Sequence, residues 1–184
     1  MPAVAVTDTN NMFAALEFSV SALSAGIQPI VGCQIDVLFQ TAQPGETVLP
    51  SAPVVLLAQN RAGYESLMQL NSALYLGDAD VPRVTMDDLA RHASGLICLT
   101  GGAEGPVGRL LQDGKRAAAE ALLAHFGEIY PDRLYIELQR HPREDGSPPE
   151  AERLTERPMV DMAYKMALPL VATNDVYFPK DDMY

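Results

Sequence analysis

Leu96-Ile97-Cys98-Leu99-Thr100-Gly101-Gly102-Ala103-Glu104-Gly105-Pro106-Val107 is the stretch on which the fold is decided. Four apolar residues give way to a hydroxyl and two glycines, and the chain then enters a helical segment. A short apolar run bounded by turn residues reads as a buried strand, and a strand feeding a helix is the βα unit of an α/β fold. The same order recurs along the chain. Ala3–Val6, 29–31, 54–57, Leu96–Leu99, Leu134–Leu138 and 168–171 are six short apolar segments with strand character. They are near-continuous rather than alternating, the pattern of parallel strands buried on both faces. Helical stretches lie between most of them. In 11–24, Phe13, Leu16, Val20 and Leu23 fall at spacings of three and four and form one apolar stripe. Leu67, Leu70 and Leu74 do the same in 62–76. The segment 107–130 reads as two helices broken near Asp113-Gly114. The segment 150–166 carries Leu154, Met162 and Met166, and Pro158 limits or kinks it.

The chain has 184 residues, 48% of them hydrophobic, enough for one sizeable core, and 1–184 is read as a single domain. No apolar run approaches the ~18 residues of a membrane helix. The opening Met1-Pro2-Ala3-Val4-Ala5-Val6 has no basic stretch and too short an apolar one for a secretory signal. Two cysteines, Cys33 and Cys98, make no disulfide framework, so a cytoplasmic protein is expected. The net charge of −11 counts against direct grip on a nucleic acid, although not against a part in a larger DNA machine.

One stretch interrupts the rhythm. Within 35–53, Gln43-Pro44-Gly45-Glu46 is a turn signal between two short β-like pieces, 35–39 and 47–49, and predicts a hairpin-like excursion. The segment 78–84 reads as a linker and 143–149 as an exposed loop.

Nearly every predicted strand ends in polar or glycine residues. Val6 leads into Thr7-Asp8-Thr9-Asn10-Asn11, Val31 into Gly32-Cys33-Gln34 and Leu57 into Ala58-Gln59-Asn60. Leu99 leads into Thr100-Gly101-Gly102, Leu138 into Gln139-Arg140-His141 and Val171 into Ala172-Thr173-Asn174-Asp175. Barrels and open α/β sheets build their sites on that edge, although any one loop is also polar because it is solvated. Asp8, His141 and Asp175 end three different strands and are candidates to converge on a metal, which needs several carboxylate or imidazole ligands close together. The plainer roles stay open: His141 at the surface, Asp8 as a helix cap shared with Thr9 or Asn10, and Asn174-Asp175 as a turn. His92 and His125 sit in helical, solvated contexts. The Gly-rich turn after Leu99 could place an anion on a helix N-terminus. No Gly-Lys-Ser/Thr follows it and Glu104 opposes an anion, so a tight βα turn is favoured. Cys98 reads as inert core and Cys33 as packed at a strand end, and no Gly-x-Ser-x-Gly elbow occurs.

Taken together, several stretches resemble the PHP (polymerase and histidinol phosphatase) domain, in the form that opens bacterial DNA polymerase III alpha subunits. They are Thr7-Asp8-Thr9-Asn10-Asn11-Met12-Phe13, Ala25-Gly26-Ile27-Gln28-Pro29-Ile30-Val31-Gly32-Cys33-Gln34, and Leu56-Leu57-Ala58-Gln59-Asn60 with Gly63-Tyr64 and Leu67-Met68. Tyr135-Ile136-Glu137-Leu138-Gln139-Arg140-His141 and Leu168-Pro169-Leu170-Val171-Ala172-Thr173-Asn174-Asp175-Val176-Tyr177 complete the set. The resemblance implies a distorted (β/α)7, TIM-barrel-like fold with its site at the C-terminal strand ends. It also implies that a first strand carrying His-x-His, with its helix, would precede Met1, so that the chain is an N-terminally truncated fragment with an exposed edge.

At the positions where metal-binding relatives carry ligands, this chain has Thr9, Gln34, Pro53, His141, Asp175 and Tyr177, of which His141 and Asp175 match. The implied metal site is vestigial, with no catalytic residue and no cofactor expected here, and Asp8, Thr9, Gln34, His141 and Asp175 as its remaining polar network. The resemblance implies a non-catalytic scaffold and docking domain. Its partners would be the rest of the polymerase alpha chain and the proofreading exonuclease subunit, with DNA only through the holoenzyme and no membrane. Nucleotidyl transfer in DNA replication, with Mg2+ in a palm domain, would lie outside this chain. Two alternatives are an active metallophosphoesterase with zinc, manganese or iron at His141 and Asp175, and a binding module of another (β/α) family.

Overall fold

The computed structural model describes residues 1–40, 51–76, 82–143, 145–174 and 176. Seven strands and six helices are described, in the order β1 (Ala3–Val6), α1 (Ala15–Ser24), β2 (Gln28–Leu38), β3 (Ser51–Ala58), α2 (Arg61–Leu76), β4 (Val84–Thr85), α3 (Met86–Arg91), β5 (Leu96–Leu99), α4 (Pro106–Gln112), α5 (Arg116–Ile129), β6 (Leu134–Leu138), α6 (Glu150–Met166) and β7 (Leu170–Ala172). The strands form one sheet in the order β1-β2-β3-β5-β6-β7, with β4 paired to β2.

The βα reading is right for most of the chain. The pairs β1–β2, β5–β6 and β6–β7 are parallel. β3 is the exception, antiparallel to both β2 and β5. No helix carries the chain from β2 to β3 among the described residues. Parallel neighbours need a long crossover, whereas a chain that turns back at one edge must pair antiparallel. The predicted strand 29–31 and the first excursion piece 35–39 are in fact one strand, β2. The second piece, 47–49, and the turn at Gln43–Glu46 lie outside the described residues. The linker assigned to 78–84 lies partly outside them too. Its last residue starts β4, which leads into α3, a helix the apolar pattern did not reveal. Thr85 nevertheless signals its start: its hydroxyl accepts from the Asp88 N–H at 3.1 Å and the Asp88 carboxylate accepts from the Thr85 N–H at 2.9 Å, a capping box. α6 runs uninterrupted through Pro158.

The core lies on one face of the sheet, not on both. Val54, Leu56, Leu96, Cys98, Leu134 and Ile136 point from the strands into a layer with Leu67, Leu70, Leu123, Phe126 and Met159 of the helices, all 2% exposed or less. The alternate residues, among them Ala5, Val55, Leu57, Ile97, Leu99, Tyr135 and Val171, line a single cavity of about 350 Å³ on the other face. With Gln34 of β2, all six strands of the path meet around that one cavity, so the sheet curls into part of a barrel. The runs looked continuously apolar because one set of residues meets helices and the other meets the concave interior.

α1 departs from expectation. Its buried residues are Ala15 and Ala22, and the predicted stripe Phe13, Leu16, Val20 and Leu23 faces outward.

Candidate functional site

The polar rim of the cavity is built by the strand ends. Thr7, Gln34, Glu137, Gln139, Thr173 and Asn174 line it. Because β3 runs backwards, this edge receives its N-terminal end. Pro53 pairs with Asp36 in the register that follows Gln34 opposite Val55. The Gln59-Asn60 turn after β3, read as one of the site loops, is at the opposite end. There Asn60 Oδ1 accepts from the Gly63 N–H at 3.1 Å and starts α2.

Thr9 and Gln34 meet across an isolated bridge, with Gln34 Nε2 donating to Thr9 Oγ1 at 3.3 Å. Asp8 joins them through its backbone, its carbonyl accepting from Gln34 N at 3.1 Å, and Gln34 O accepts from Asn10 N at 2.7 Å. Asn10 stands at φ 56°, a left-handed conformation that asparagine tolerates better than most residues. From there its side chain bonds Asp36 twice, donating to Oδ2 at 2.9 Å and accepting from N at 3.1 Å. None of Asp8, Thr9 and Asn10 caps α1, whose N-cap is Ala14 with no side-chain bond. The nearest local turn is closed instead by Asn11 Oδ1, which accepts from the Phe13 N–H.

His141 belongs to a second cluster. Its Nδ1 lies 2.7 Å from Glu152 Oε1, and its backbone N–H donates to both oxygens of that carboxylate at 3.2 and 3.0 Å. Glu152 sits in the first turn of α6 and is buried. The structure thus brings Asp8, Thr9 and Gln34 together and gives His141 to α6. Asp175 and Tyr177 lie outside the described residues.

A residue that sequence reasoning passed over stands at the centre. Glu137 is 2% exposed within β6. Its Oε2 accepts from the Gly101 N–H at 2.9 Å, its Oε1 accepts from Thr173 Oγ1, and its own N–H donates to Thr100 Oγ1 at 3.0 Å. The available signal was one carboxylate inside an otherwise apolar strand, which must find partners or be excluded from the core. The Gly-rich turn after β5 answers that need. Gly101 adopts φ +77°, and a Cβ there would stand 2.0 Å from Pro53 O. Only glycine lets that backbone pass and aim its N–H at Glu137. The turn is therefore the tight βα connection, and the anion it holds is the protein's own.

Among the described residues no group of three or more His, Cys, Asp or Glu is placed to hold a metal ion. Both cysteines are fully buried. Burial pushes the Cys33 thiol up to about 11 and raises the Cys98 thiol further, so neither is a nucleophile at neutral pH. No helix among the described residues is long and apolar enough to cross a membrane.

A curled βα sheet with a polar rim at its strand ends defines a barrel-type α/β domain with a site edge. The chain belongs to the PHP domain family, whose model matches residues 1–141. It is 45% identical over 186 aligned positions to the DNA polymerase III subunit alpha of Caulobacter vibrioides, all of this chain against 16% of that protein. It is 39% identical to the same subunit of Pseudomonas aeruginosa and 35% identical to that of Rickettsia bellii, covering 15% of each. The chain thus spans about a sixth of the length of these relatives. Among solved structures it superposes on a protein assigned as a metal-dependent phosphoesterase from Bifidobacterium adolescentis, with a TM-score of 0.50 at 13% identity, over 94% of this chain and 76% of that one. That likeness supports the fold.

Proposed function

We propose that this chain is the PHP module of a replicative DNA polymerase alpha subunit, a non-catalytic scaffold and docking domain whose metal site has degenerated. The observation that carries the reading is how the site positions are occupied. Thr9 and Gln34 satisfy each other as hydroxyl and amide. Pro53 offers no side-chain donor, Glu137 is engaged by Gly101 and Thr173, and His141 is engaged by Glu152. A divalent cation needs several anionic or imidazole donors turned toward it. The described residues do not fit one, and they suit a hydrogen-bonded strut instead.

In this reading nucleotide addition belongs to the rest of the polymerase, with its own Mg2+. The partners of this module are the remaining alpha chain and the proofreading exonuclease subunit, in the cytoplasm. A net charge of −11 suits protein contacts better than DNA contacts.

Elemental analysis of the chain, purified without chelator or a metal-affinity tag, tests the proposal. The expected result is below about a tenth of an equivalent of zinc, manganese or iron, far from the stoichiometric loading of a true site. Near one equivalent, lost when His141 and Asp175 are both changed to alanine, would overturn it. Hydrolysis of a phosphate ester would then be the activity to assay.

A further inference from the structure

The cavity on the concave face of the sheet has a polar rim that the protein's own groups leave largely unanswered. Thr7, Tyr135, Gln139 and Asn174 line it, and the side-chain polar groups of all four have no hydrogen-bond partner among the described residues. Gln34 gives its Nε2 to Thr9 Oγ1 at 3.3 Å, which leaves its Oε1 as an acceptor. The Gln139 amide is placed by its neighbour. Gly102 stands at φ +57°, and a Cβ there would lie 2.8 Å from Gln139 Oε1. Beneath this rim the lining is apolar, with Val55, Leu57, Ile97, Leu99 and Val171.

Two properties set what such a cavity takes. The first is charge. Among the described residues no Lys, Arg or His lines it, and the acid that does, Glu137, already accepts from Gly101 and Thr173. An anion meets no positive group there and a cation meets a single carboxylate, so a charged ligand would lose its hydration without compensation. The second is the pairing of donors and acceptors. Gln139 and Asn174 each carry an amide donor beside a carbonyl acceptor, and Gln34 adds an acceptor. Their complement is a ring edge on which a donor and an acceptor stand side by side, the edge that side-chain amides recognise in heterocyclic bases. The faces of such a ring suit walls of branched side chains, and about 350 Å³ lies within the range of small-molecule sites. A strand added at the edge of β1 or β7 would be held by backbone groups, whereas the groups at issue are side chains on the concave face.

We propose that the cavity binds a small uncharged heterocycle of the nucleobase kind, its edge on the Gln139 and Asn174 amides and its ring over the apolar floor. The inference rests on the cation-free reading of the site given above.

Methyl-resolved NMR titration of the chain tests it, with adenine, uracil, adenosine 5′-monophosphate and inorganic phosphate as probes. A ring of about ten non-hydrogen atoms is expected to bind with a dissociation constant on the order of 0.1–1 mM. The methyl signals of Ile97, Leu99 and Val171 should shift saturably with adenine or uracil, while those of the helical core, such as Leu123, stay in place. The monophosphate should bind at least about tenfold more weakly than adenine, and phosphate should move nothing. Gln139→Leu should weaken binding of the bases by about fivefold or more with the Leu123 signals unmoved. No saturable shift with either base, a monophosphate bound as tightly as adenine, or a Gln139→Leu protein that binds like the parent would each overturn the proposal. Absence of all binding overturns this inference alone, whereas monophosphate binding that appears only with added Mn2+ overturns the cation-free reading with it.

Discussion

Glu137→Gln separates a structural strut from a metal ligand. The carboxylate is 2% exposed and accepts from Gly101 N–H and Thr173 Oγ1. Charge-assisted hydrogen bonds of this kind contribute about 1.5–3 kcal/mol each. The amide keeps the volume and one acceptor oxygen, so one bond survives in weaker, neutral form. The other is replaced by an N–H that the Thr173 hydroxyl must rotate to accept, again without the charge. The expected loss is about 2–4 kcal/mol. In a domain of this size each kcal/mol moves Tm by roughly 2–4 °C, so the midpoint should fall by about 5–12 °C. Urea melts followed by circular dichroism, with and without EDTA, read this directly. Thr173→Val in a double-mutant cycle should return a coupling of about 1–2 kcal/mol. A Glu137→Gln protein within about 0.5 kcal/mol of the parent would refute the strut. So would a parent destabilised by EDTA to the level of the variant, because the carboxylate would then be serving a metal.

Three further outcomes follow from buried polar groups. Glu152→Ala should cost about 1–3 kcal/mol, because the His141 N–H loses a charged acceptor; hydrogen exchange should quicken at His141 and over the loop before α6, and unchanged protection there would contradict the clamp. The Tyr130 hydroxyl is buried with no hydrogen-bond partner among the described residues. Tyr130→Phe should therefore leave stability unchanged or raise it by up to about 1 kcal/mol; a loss above that in a urea melt would mean that the hydroxyl has a partner. For Cys33, burial raises the thiol from 9.0 to about 11. The folded chain then holds a proton that the unfolded chain releases, so stability is full below about pH 9 and falls as pH rises toward 11. Cys33→Ala should flatten that decline in melts taken from pH 8 to 11, and an identical slope would place the titration elsewhere.

The parts of the fold legible in the sequence are those fixed by local rules. β1, β5, β6 and α6 have the boundaries their apolar patterns give. The break between α4 and α5 falls at Gly114, which takes φ +72°. The direction of β3 was not legible, because Val54-Val55-Leu56-Leu57 is equally apolar read either way. Direction is set by the connection, not by the strand. The outward turn of α1 escaped for a related reason. Periodicity shows that Phe13, Leu16, Val20 and Leu23 share a flank, but not which flank meets the sheet. Ala15 and Ala22 take that place, since small residues let the helix lie close against β2.

The site was legible in its location and hidden in its pairings. Thr9 and Gln34 are grouped through the family resemblance, and the structure joins them by an isolated bridge between the segment after β1 and the middle of β2. Glu152 could not be assigned to His141, since it lies on the next helix and looks like one more surface acid. Glu137 is the more telling case. Its partners come from the turns after β5 and β7, which meet only when the sheet curls, so no linear pattern reports them. The curl also explains why the glycine turn is not an anion site open to solvent. Reversal of β3 brings the Pro53 carbonyl against Gly101. That contact fixes the turn with its N–H toward the interior, where it donates to Glu137. Hydrogen bonds among the protein's own groups thus join the turns after β5 and β7 across the rim, with the carboxylate of β6 between them.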